Sequence, residues 1–169
     1  MRNLYLVGMM GSGKSVTGKK LAEYLGYSFL DLDEYIQQKA QRKITEIFEK
    51  DGEDFFRDLE ASALVEAARG ESRVVATGGG TILRSGNVER MKTTGKIVFL
   101  DTSVEYFWER VKYKKDRTLL KDASPREKLM RIYADRMPIY KRVSDVSINT
   151  DGETADTAAR KIISVLDFR

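Results

Sequence analysis

The first residues that could do chemistry form a glycine-rich segment that ends in a lysine and a serine. Residues 8–15 read Gly-Met-Met-Gly-Ser-Gly-Lys-Ser, which fits the nucleotide-binding pattern G-x-x-x-x-G-K-[ST] in full. The glycines let main-chain N–H groups surround phosphate oxygens, Lys14 can bridge the β- and γ-phosphates, and the Ser15 hydroxyl can bind Mg²⁺. The expected contacts to a nucleoside triphosphate are Gly11, Ser12, Gly13, Lys14, Ser15 and Val16.

The absence of two residue types excludes several kinds of catalytic and metal-binding site. Its 169 residues include no histidine and no cysteine. Disulfides, thiolate metal sites and cysteine nucleophiles are therefore excluded, and so is a zinc site with histidine ligands. Proton transfer must use Asp, Glu, Lys or Tyr.

Two aspartates, Asp31 and Asp33, lie at the end of the second predicted strand. Ligands of parallel sheets bind at the carboxyl ends of the strands, so this pair is a candidate for acceptor and metal binding. Without histidine, a carboxylate is the favoured general base. The alternative is that Asp33 only caps the helix that follows.

Two arginines could hold an acidic substrate. The planar fork of arginine matches a carboxylate, so Arg57 and Arg136 could clamp one, and Glu60, one helical turn after Arg57, could hold its guanidinium. The alternative for each arginine is an ordinary surface ion pair, which contributes little stability.

Three consecutive glycines, Gly78, Gly79 and Gly80, follow the third predicted strand. Glycine at a strand end lets the backbone approach a ligand closely. A plain tight turn is the alternative.

These residues need a scaffold of strands that alternate with helices. Apolar runs predict strands at 4–7, 29–32, 74–77, 97–100 and 146–149. Helical patterns cover 14–25, about 34–69 with a break near Gly52 and a short helix opening at Thr45, 105–113, and 154–166. A further helix is predicted from Ser124 as N-cap, with Pro125 in the first turn and Glu127 completing a capping box, to about Met137. Continuous apolar strands indicate a parallel sheet of about five strands with helices on both faces. We expect one domain over 1–169, with a mobile lid at about 112–124.

The charge is concentrated late in the chain. The net charge is +4, yet residues 109–142 hold twelve Lys and Arg against five Asp and Glu. This excess fits a phosphate-rich ligand or a solvated basic helix, and it lacks the aromatic pattern of nucleic-acid binding. The apolar run at the amino terminus is too short for a signal or a membrane span. We expect a cytoplasmic monomer with no membrane or nucleic-acid partner.

Four segments together follow a known family pattern. They are Asp31-Leu32-Asp33; Ile47-Phe48 with Gly52-Glu53, Phe56-Arg57 and Glu60; Gly78-Gly79-Gly80; and Arg117-Thr118-Leu119-Leu120 followed by Arg136-Met137-Pro138-Ile139-Tyr140. With the phosphate-binding loop, they make the chain resemble the shikimate kinase family over essentially its whole length. The resemblance implies a three-layer P-loop kinase fold and ATP-dependent phosphorylation of the 3-hydroxyl of shikimate, with Mg²⁺.

The resemblance also implies roles for individual residues. Asp33 would bind acceptor hydroxyls and take a proton, Asp31 would orient Mg²⁺ through water, and residues 33–62 would form the acceptor-binding segment. Arg57, Gly78, Gly79, Gly80 and Arg136 would contact the acceptor. Arg117 would be the lid arginine that closes onto the phosphates, and Arg110 would touch the nucleotide.

Two positions depart from the family pattern. Thr118 stands where the lid usually has proline, which should loosen the backbone there. Val16 stands where the family usually has threonine, so a side-chain hydroxyl toward the α-phosphate is lost while the Val16 N–H remains.

Two other functions remain open at this point. One is a kinase for another hydroxy acid, such as gluconate, or for a nucleotide. The other is a nucleotide-binding regulatory protein without catalysis. The guanine-reading Asn-Lys-x-Asp segment of GTPases does not occur.

Overall fold

A computed structural model describes residues 2–111 and 124–166, with the side chains of 110 and 111 left out. In this part of the chain, five strands form one parallel sheet in the order β2-β3-β1-β4-β5. The strands are β1 (Asn3–Val7), β2 (Ser28–Asp31), β3 (Arg73–Ala76), β4 (Gly95–Asp101) and β5 (Val146–Asn149). The helices are α1 (Lys14–Leu25), α2 (Leu32–Ala40), α3 (Ile44–Ala68), α4 (Ser85–Thr94), α5 (Val104–Val111), α6 (Pro125–Val143) and α7 (Ala155–Val165). The predicted parallel sheet with helices around it is confirmed.

The two faces of the sheet carry separate hydrophobic cores. Successive side chains of a strand point to opposite faces, so Tyr5 and Val7 of β1 join one core while Leu4 and Leu6 join the other. The first core includes buried side chains of α2, α3, α4, α5 and α6, and the second includes those of α1 and α7. This arrangement gives three layers and leaves the carboxyl ends of the strands open to carry loops.

Helix α1 matches its predicted bounds because glycine marks both ends. Gly13 precedes it and Gly26 follows it, each with left-handed backbone angles. The Gly26 N–H donates to the Ala22 and Glu23 carbonyls, which closes the last turn.

The predicted long helix is two helices. The first break is at residues 41–43, where Gln41 has a left-handed φ of 50°, and α3 begins at Ile44, one residue before the helix start predicted at Thr45. The second is the predicted break, at Gly52, whose φ of 85° and ψ of 176° kink α3.

The end predicted for α6 is wrong. The helix continues past Pro138 to Val143. Pro138 is exposed, so the carbonyl that loses its hydrogen bond can reach water, while Tyr140 and Val143 are buried and hold the last turns against the core. Ser124 also makes no side-chain capping bond, although Pro125 does occupy the first turn.

The remaining differences are small. Helix α4 and the 3₁₀ turn Thr81–Leu83 were not predicted, and four of the five predicted strands differ from the observed bounds by one or two residues at one or both ends. Within the described ranges, no helix is both long enough and apolar enough to cross a bilayer. Residues 112–123, which make up nearly all of the predicted lid, lie outside the described residues.

Candidate active site

The phosphate-binding loop lies between β1 and α1, at the centre of the carboxyl edge of the sheet. Gly11 and Gly13 have φ values of 78° and 90°, which a residue with a Cβ rarely adopts. The Lys14 ammonium donates to the carbonyl oxygens of Gly8 and Met9 at 2.9 and 2.8 Å. The loop therefore holds its own lysine beside its backbone at the amino end of a helix, where anions are stabilised.

Two side chains of this loop differ in exposure. The Ser12 hydroxyl is buried and has no hydrogen-bond partner within the described residues. Val16 is 53% exposed in the first turn of α1.

Asp31 connects the phosphate-binding loop to the end of β2. Its Oδ2 accepts a hydrogen bond from the Ser15 hydroxyl at 2.5 Å, and its Oδ1 accepts from the N–H groups of Asp33 and Glu34. Asp31, rather than Asp33, is thus the N-cap of α2. The capping bonds fix the carboxylate next to Ser15.

The donor set around Ser15 fits Mg²⁺. A hydroxyl and a carboxylate are hard oxygen ligands, and Mg²⁺ near phosphates needs only one or two protein ligands. Among residues 2–111 and 124–166, no group of three or more acidic side chains could hold a metal.

The glycine triplet, residues 78–80, contacts the side chains that are predicted to bind the acceptor. A Cβ at position 78 would collide with Glu60 Oε1 and lie 3.2 Å from Asp33 Oδ1. One at 79 would lie 3.5 Å from Arg136 Nη1, and one at 80 would collide with the guanidinium of Arg57. Each glycine therefore packs against a different one of the predicted acceptor-binding side chains, which the structure brings together.

The same triplet also contacts the phosphate-binding loop. A Cβ at Gly79 would lie 3.3 Å from the Met10 amide nitrogen and 3.6 Å from the Gly8 carbonyl oxygen. The two predicted sites are therefore adjacent, as transfer between two ligands requires.

Arg57 is held by two glutamates of its own helix. Its Nη1 donates to Glu60 Oε2 at 2.9 Å, and its Nε and Nη2 donate to Glu53 Oε1 at 3.3 and 3.0 Å. Glu60 is fully buried, and its other oxygen accepts from the Thr81 hydroxyl at 2.5 Å. The ion pair is therefore screened from water and hydrogen-bonded on both carboxylate oxygens, unlike an ordinary surface pair.

Arg136 reaches the triplet from α6. Its Nη1 donates to the Gly79 carbonyl at 3.1 Å, and Tyr140, one turn later, donates its hydroxyl to the same oxygen at 2.5 Å. The spacing of four residues puts both side chains on one face of the helix.

The environment of Asp33 changes its acidity. Burial and the charge of Asp31 raise its pKa to about 6, Glu60 adds to this effect, and the charges of Lys14 and Arg57 oppose it. Asp33 is thus ionised at neutral pH and remains a stronger base than an ordinary aspartate.

The sequence analysis did not identify three residues that support the site, and two of the predicted site side chains lie outside the described residues. Thr81, Asn87 and Tyr140 support the triplet, and Asn87 Nδ2 donates to the Thr81 carbonyl at 3.1 Å. Only the spacing of Tyr140 from Arg136 could have signalled a role. Arg117 and the Arg110 side chain lie outside the described residues, so their predicted roles stay predictions.

Comparison with known proteins identifies the family. The family model for shikimate kinase matches residues 10–167. A shikimate kinase of Sulfurihydrogenibium sp. is 40% identical over the full length of both chains, and one of Thermodesulfovibrio yellowstonii is 40% identical over 96% of this chain and 94% of its own. The solved structure of shikimate kinase from Acinetobacter baumannii in complex with shikimate superposes with a TM-score of 0.94 at 41% identity, covering 98% of this chain and 92% of that one. With a phosphate-binding loop beside a glycine triplet that contacts Asp33, Arg57 and Arg136, this chain belongs to the shikimate kinase family.

Proposed function

We propose that this protein transfers the γ-phosphoryl group of ATP to the 3-hydroxyl of shikimate, a step of aromatic amino acid biosynthesis. The observation that carries the proposal is the glycine triplet, which packs against Asp33, Arg57 and Arg136 and also against the phosphate-binding loop. Membership of the family supports the identity of the acceptor.

The phosphate-binding loop would hold ATP. The N–H groups of Gly11 and of residues 13–16, with the Lys14 ammonium, would donate to the β- and γ-phosphates, while the Ser12 N–H donates to the Met9 carbonyl within the loop. The helix dipole of α1 adds a favourable field. The hydroxyl of Ser12, which has no partner in the described part of the chain, supports this role, because a buried polar atom without a hydrogen bond is costly unless a ligand supplies one.

Ser15 and Asp31 would hold Mg²⁺, with Asp31 acting through water. Their hydrogen bond at 2.5 Å supports this proposal, because it places the two oxygens next to each other beside the loop. When bound, the ion neutralises charge on the phosphates.

The acceptor would lie against the glycine triplet. Arg57 and Arg136 would bind its carboxylate, since the guanidinium fork matches that group. The Gly79 N–H would donate a hydrogen bond to the acceptor. A free hydroxyl would then face Asp33. As the hydroxyl oxygen bonds to the γ-phosphorus, the bond to the leaving ADP breaks and the hydroxyl proton passes to the Asp33 carboxylate.

The family pattern extends the proposal to two side chains that the structure does not describe. Arg117 would stabilise charge on the transferring group as a lid over about 112–124 closes, and Arg110 would contact the nucleotide. We also propose that the protein acts in the cytoplasm as a monomer, without nucleic-acid or membrane partners, and that residues 33–62 form the acceptor-binding segment of a single domain.

A coupled assay of ADP release tests the function. We expect Mg²⁺-dependent release on adding shikimate, and no comparable release with gluconate, a nucleoside monophosphate or no acceptor. Turnover of gluconate or a nucleotide without turnover of shikimate would refute the acceptor while leaving the kinase class intact. ADP release that no acceptor stimulates would refute both.

A further inference from the structure

The hydroxyl of Tyr140 lies in the candidate site, yet the proposed chemistry gives it no part. The tyrosine ring is fully buried in the core that α6 shares with the sheet. It stacks on Phe99 of β4, with ring centroids 4.9 Å apart and an angle of 9° between the planes. A ring held in this way has one orientation, so its hydroxyl is a fixed point at the edge of the sheet.

That hydroxyl is bonded to the backbone of the glycine triplet. It donates to the Gly79 carbonyl at 2.5 Å. Glycine has no side chain to pack, so a three-glycine segment depends on backbone hydrogen bonds for its conformation. The bond from Tyr140 fixes the plane of the peptide that follows Gly79.

Arg136 depends on the same carbonyl. Its Nη1 donates to the Gly79 oxygen at 3.1 Å, and a carbonyl oxygen has lone pairs for both donors. Anchoring one N–H of the guanidinium aims the rest of the planar fork, which keeps further donors for a carboxylate. A shift of the Gly79 carbonyl would therefore move the triplet and Arg136 together.

We propose that Tyr140 is a positioning residue for the acceptor, which acts by holding the Gly79 carbonyl and, through it, the glycine triplet and the Arg136 guanidinium. This role rests on the proposed function, since it assumes that the acceptor binds at the triplet. Burial raises the pKa of the Tyr140 hydroxyl above its usual range, with a smaller opposing effect of Arg136. The hydroxyl therefore stays protonated and remains a donor under the conditions of an assay.

The test is Tyr140→Phe, which removes the hydroxyl and keeps the stacked ring. Tyr5→Phe is the matched control. Tyr5 is also fully buried in the same core, and its hydroxyl is 2.7 Å from Thr94 Oγ1, at the opposite edge of the sheet. Each variant deletes one buried tyrosine hydroxyl with a short hydrogen bond. General loss of stability should therefore affect both.

Steady-state kinetics with both substrates, together with thermal melts, separate the possibilities. For Tyr140→Phe we expect KM for shikimate to rise about fivefold to tenfold, the value of one hydrogen bond, and KM for ATP to stay within about twofold. Tyr5→Phe should show wild-type KM values at a comparable loss of Tm. Unchanged KM for shikimate in Tyr140→Phe, or an equal rise for both substrates, would overturn the role of Tyr140. A wild-type protein without shikimate-dependent ADP release would instead refute the proposed function, and the role of Tyr140 with it.

Discussion

The phosphate-binding loop and the acceptor pocket are built in different ways. The loop is contiguous, and its lysine bonds to carbonyls five and six residues earlier in the chain. The pocket joins residues that are distant in sequence: Thr81 reaches Glu60 across 21 positions and Arg136 reaches Gly79 across 57. The loop depends mainly on local backbone geometry, whereas the pocket depends on the packing of α2, α3 and α6 around one backbone segment.

The electrostatics of the two regions differ as well. In the loop, the charged group is a single lysine bonded to backbone carbonyls. In the pocket, burial and the charges of Asp31 and Glu60 raise the pKa of Asp33. Such a shift is typical of sites where function has been favoured over stability.

Asp33→Asn should have the largest effect of these variants. It should lower the catalytic rate and raise the stability of the fold at neutral pH. Loss of a general base lowers kcat about 10²- to 10⁴-fold. The folded pKa of about 6 exceeds the ordinary value of about 3.9, so ionised Asp33 destabilises the fold at neutral pH, and this cost disappears as the pH falls below both values. We expect Tm at neutral pH to rise by about 2–4 °C, for a gain on the order of 1 kcal/mol.

The control for this variant is Glu34→Gln. Glu34 is the exposed neighbour in the first turn of α2, and its loss should leave kcat near the wild-type value. If Asp33→Asn lowered Tm together with kcat, Asp33 would be a structural residue, and the contrast between the two regions would fail.

Gly80→Ala should break the pocket while sparing the loop. The added methyl group collides with the terminal nitrogens of Arg57, and because these are the far end of a side chain, the guanidinium moves and the fold survives. We expect KM for shikimate to rise about tenfold or more at constant KM for ATP. Gly79→Ala should have a smaller effect, since its nearest contacts would be 3.3 Å from Met10 N and 3.5 Å from Arg136 Nη1.

Gly86→Ala is the control for these two variants. Gly86 lies in α4, and a Cβ there would meet no atom within 4 Å outside its own helix backbone among the described residues. Alanine there should leave both KM values unchanged and stabilise the helix slightly. Similar kinetics for Gly80→Ala and Gly86→Ala would show that Arg57 does not need its observed position.

The dependence of kcat/KM on pH should reflect an ionisation in the pocket and not one in the phosphate-binding loop. If ionised Asp33 is the base, kcat/KM for shikimate falls about tenfold per pH unit below about pH 6. Glu60→Gln should move this midpoint to lower pH, because the charge of Glu60 is one cause of the raised pKa. Glu53→Gln, which removes the exposed partner of Arg57, should leave it in place. A midpoint near pH 4 in the wild-type protein would exclude the environment described for Asp33.

The same contrast explains how much the sequence could predict. The phosphate-binding loop, α1 and the parallel sheet follow from local pattern, because glycine spacing and apolar runs act on nearby residues. The full extent of α6 does not follow from local pattern, because burial of Tyr140 and Val143 outweighs the helix-breaking effect of Pro138.

The acceptor pocket was predictable in its members but not in its arrangement. Asp33, Arg57 and Arg136 were named from residue type and family pattern. Tertiary packing, which no local pattern encodes, brings these three side chains against one glycine segment. The same packing buries Glu60 and raises the pKa of Asp33. The role of Tyr140 was missed for the same reason.

Val16→Thr should give the smallest effect and confine it to the loop. Val16 is exposed in the first turn of α1, so threonine costs little there and adds a hydroxyl where the family usually has one. We expect KM for ATP to fall about twofold to threefold, less than the value of a full hydrogen bond because the site is open to water, while KM for shikimate stays constant. Val16→Ala removes the same apolar surface without adding a donor. If it lowered KM for ATP equally, relief of bulk would be the cause. If Val16→Thr changed KM for shikimate instead, the added hydroxyl would act on the pocket, and the expectation that this change in the loop affects ATP binding alone would be wrong.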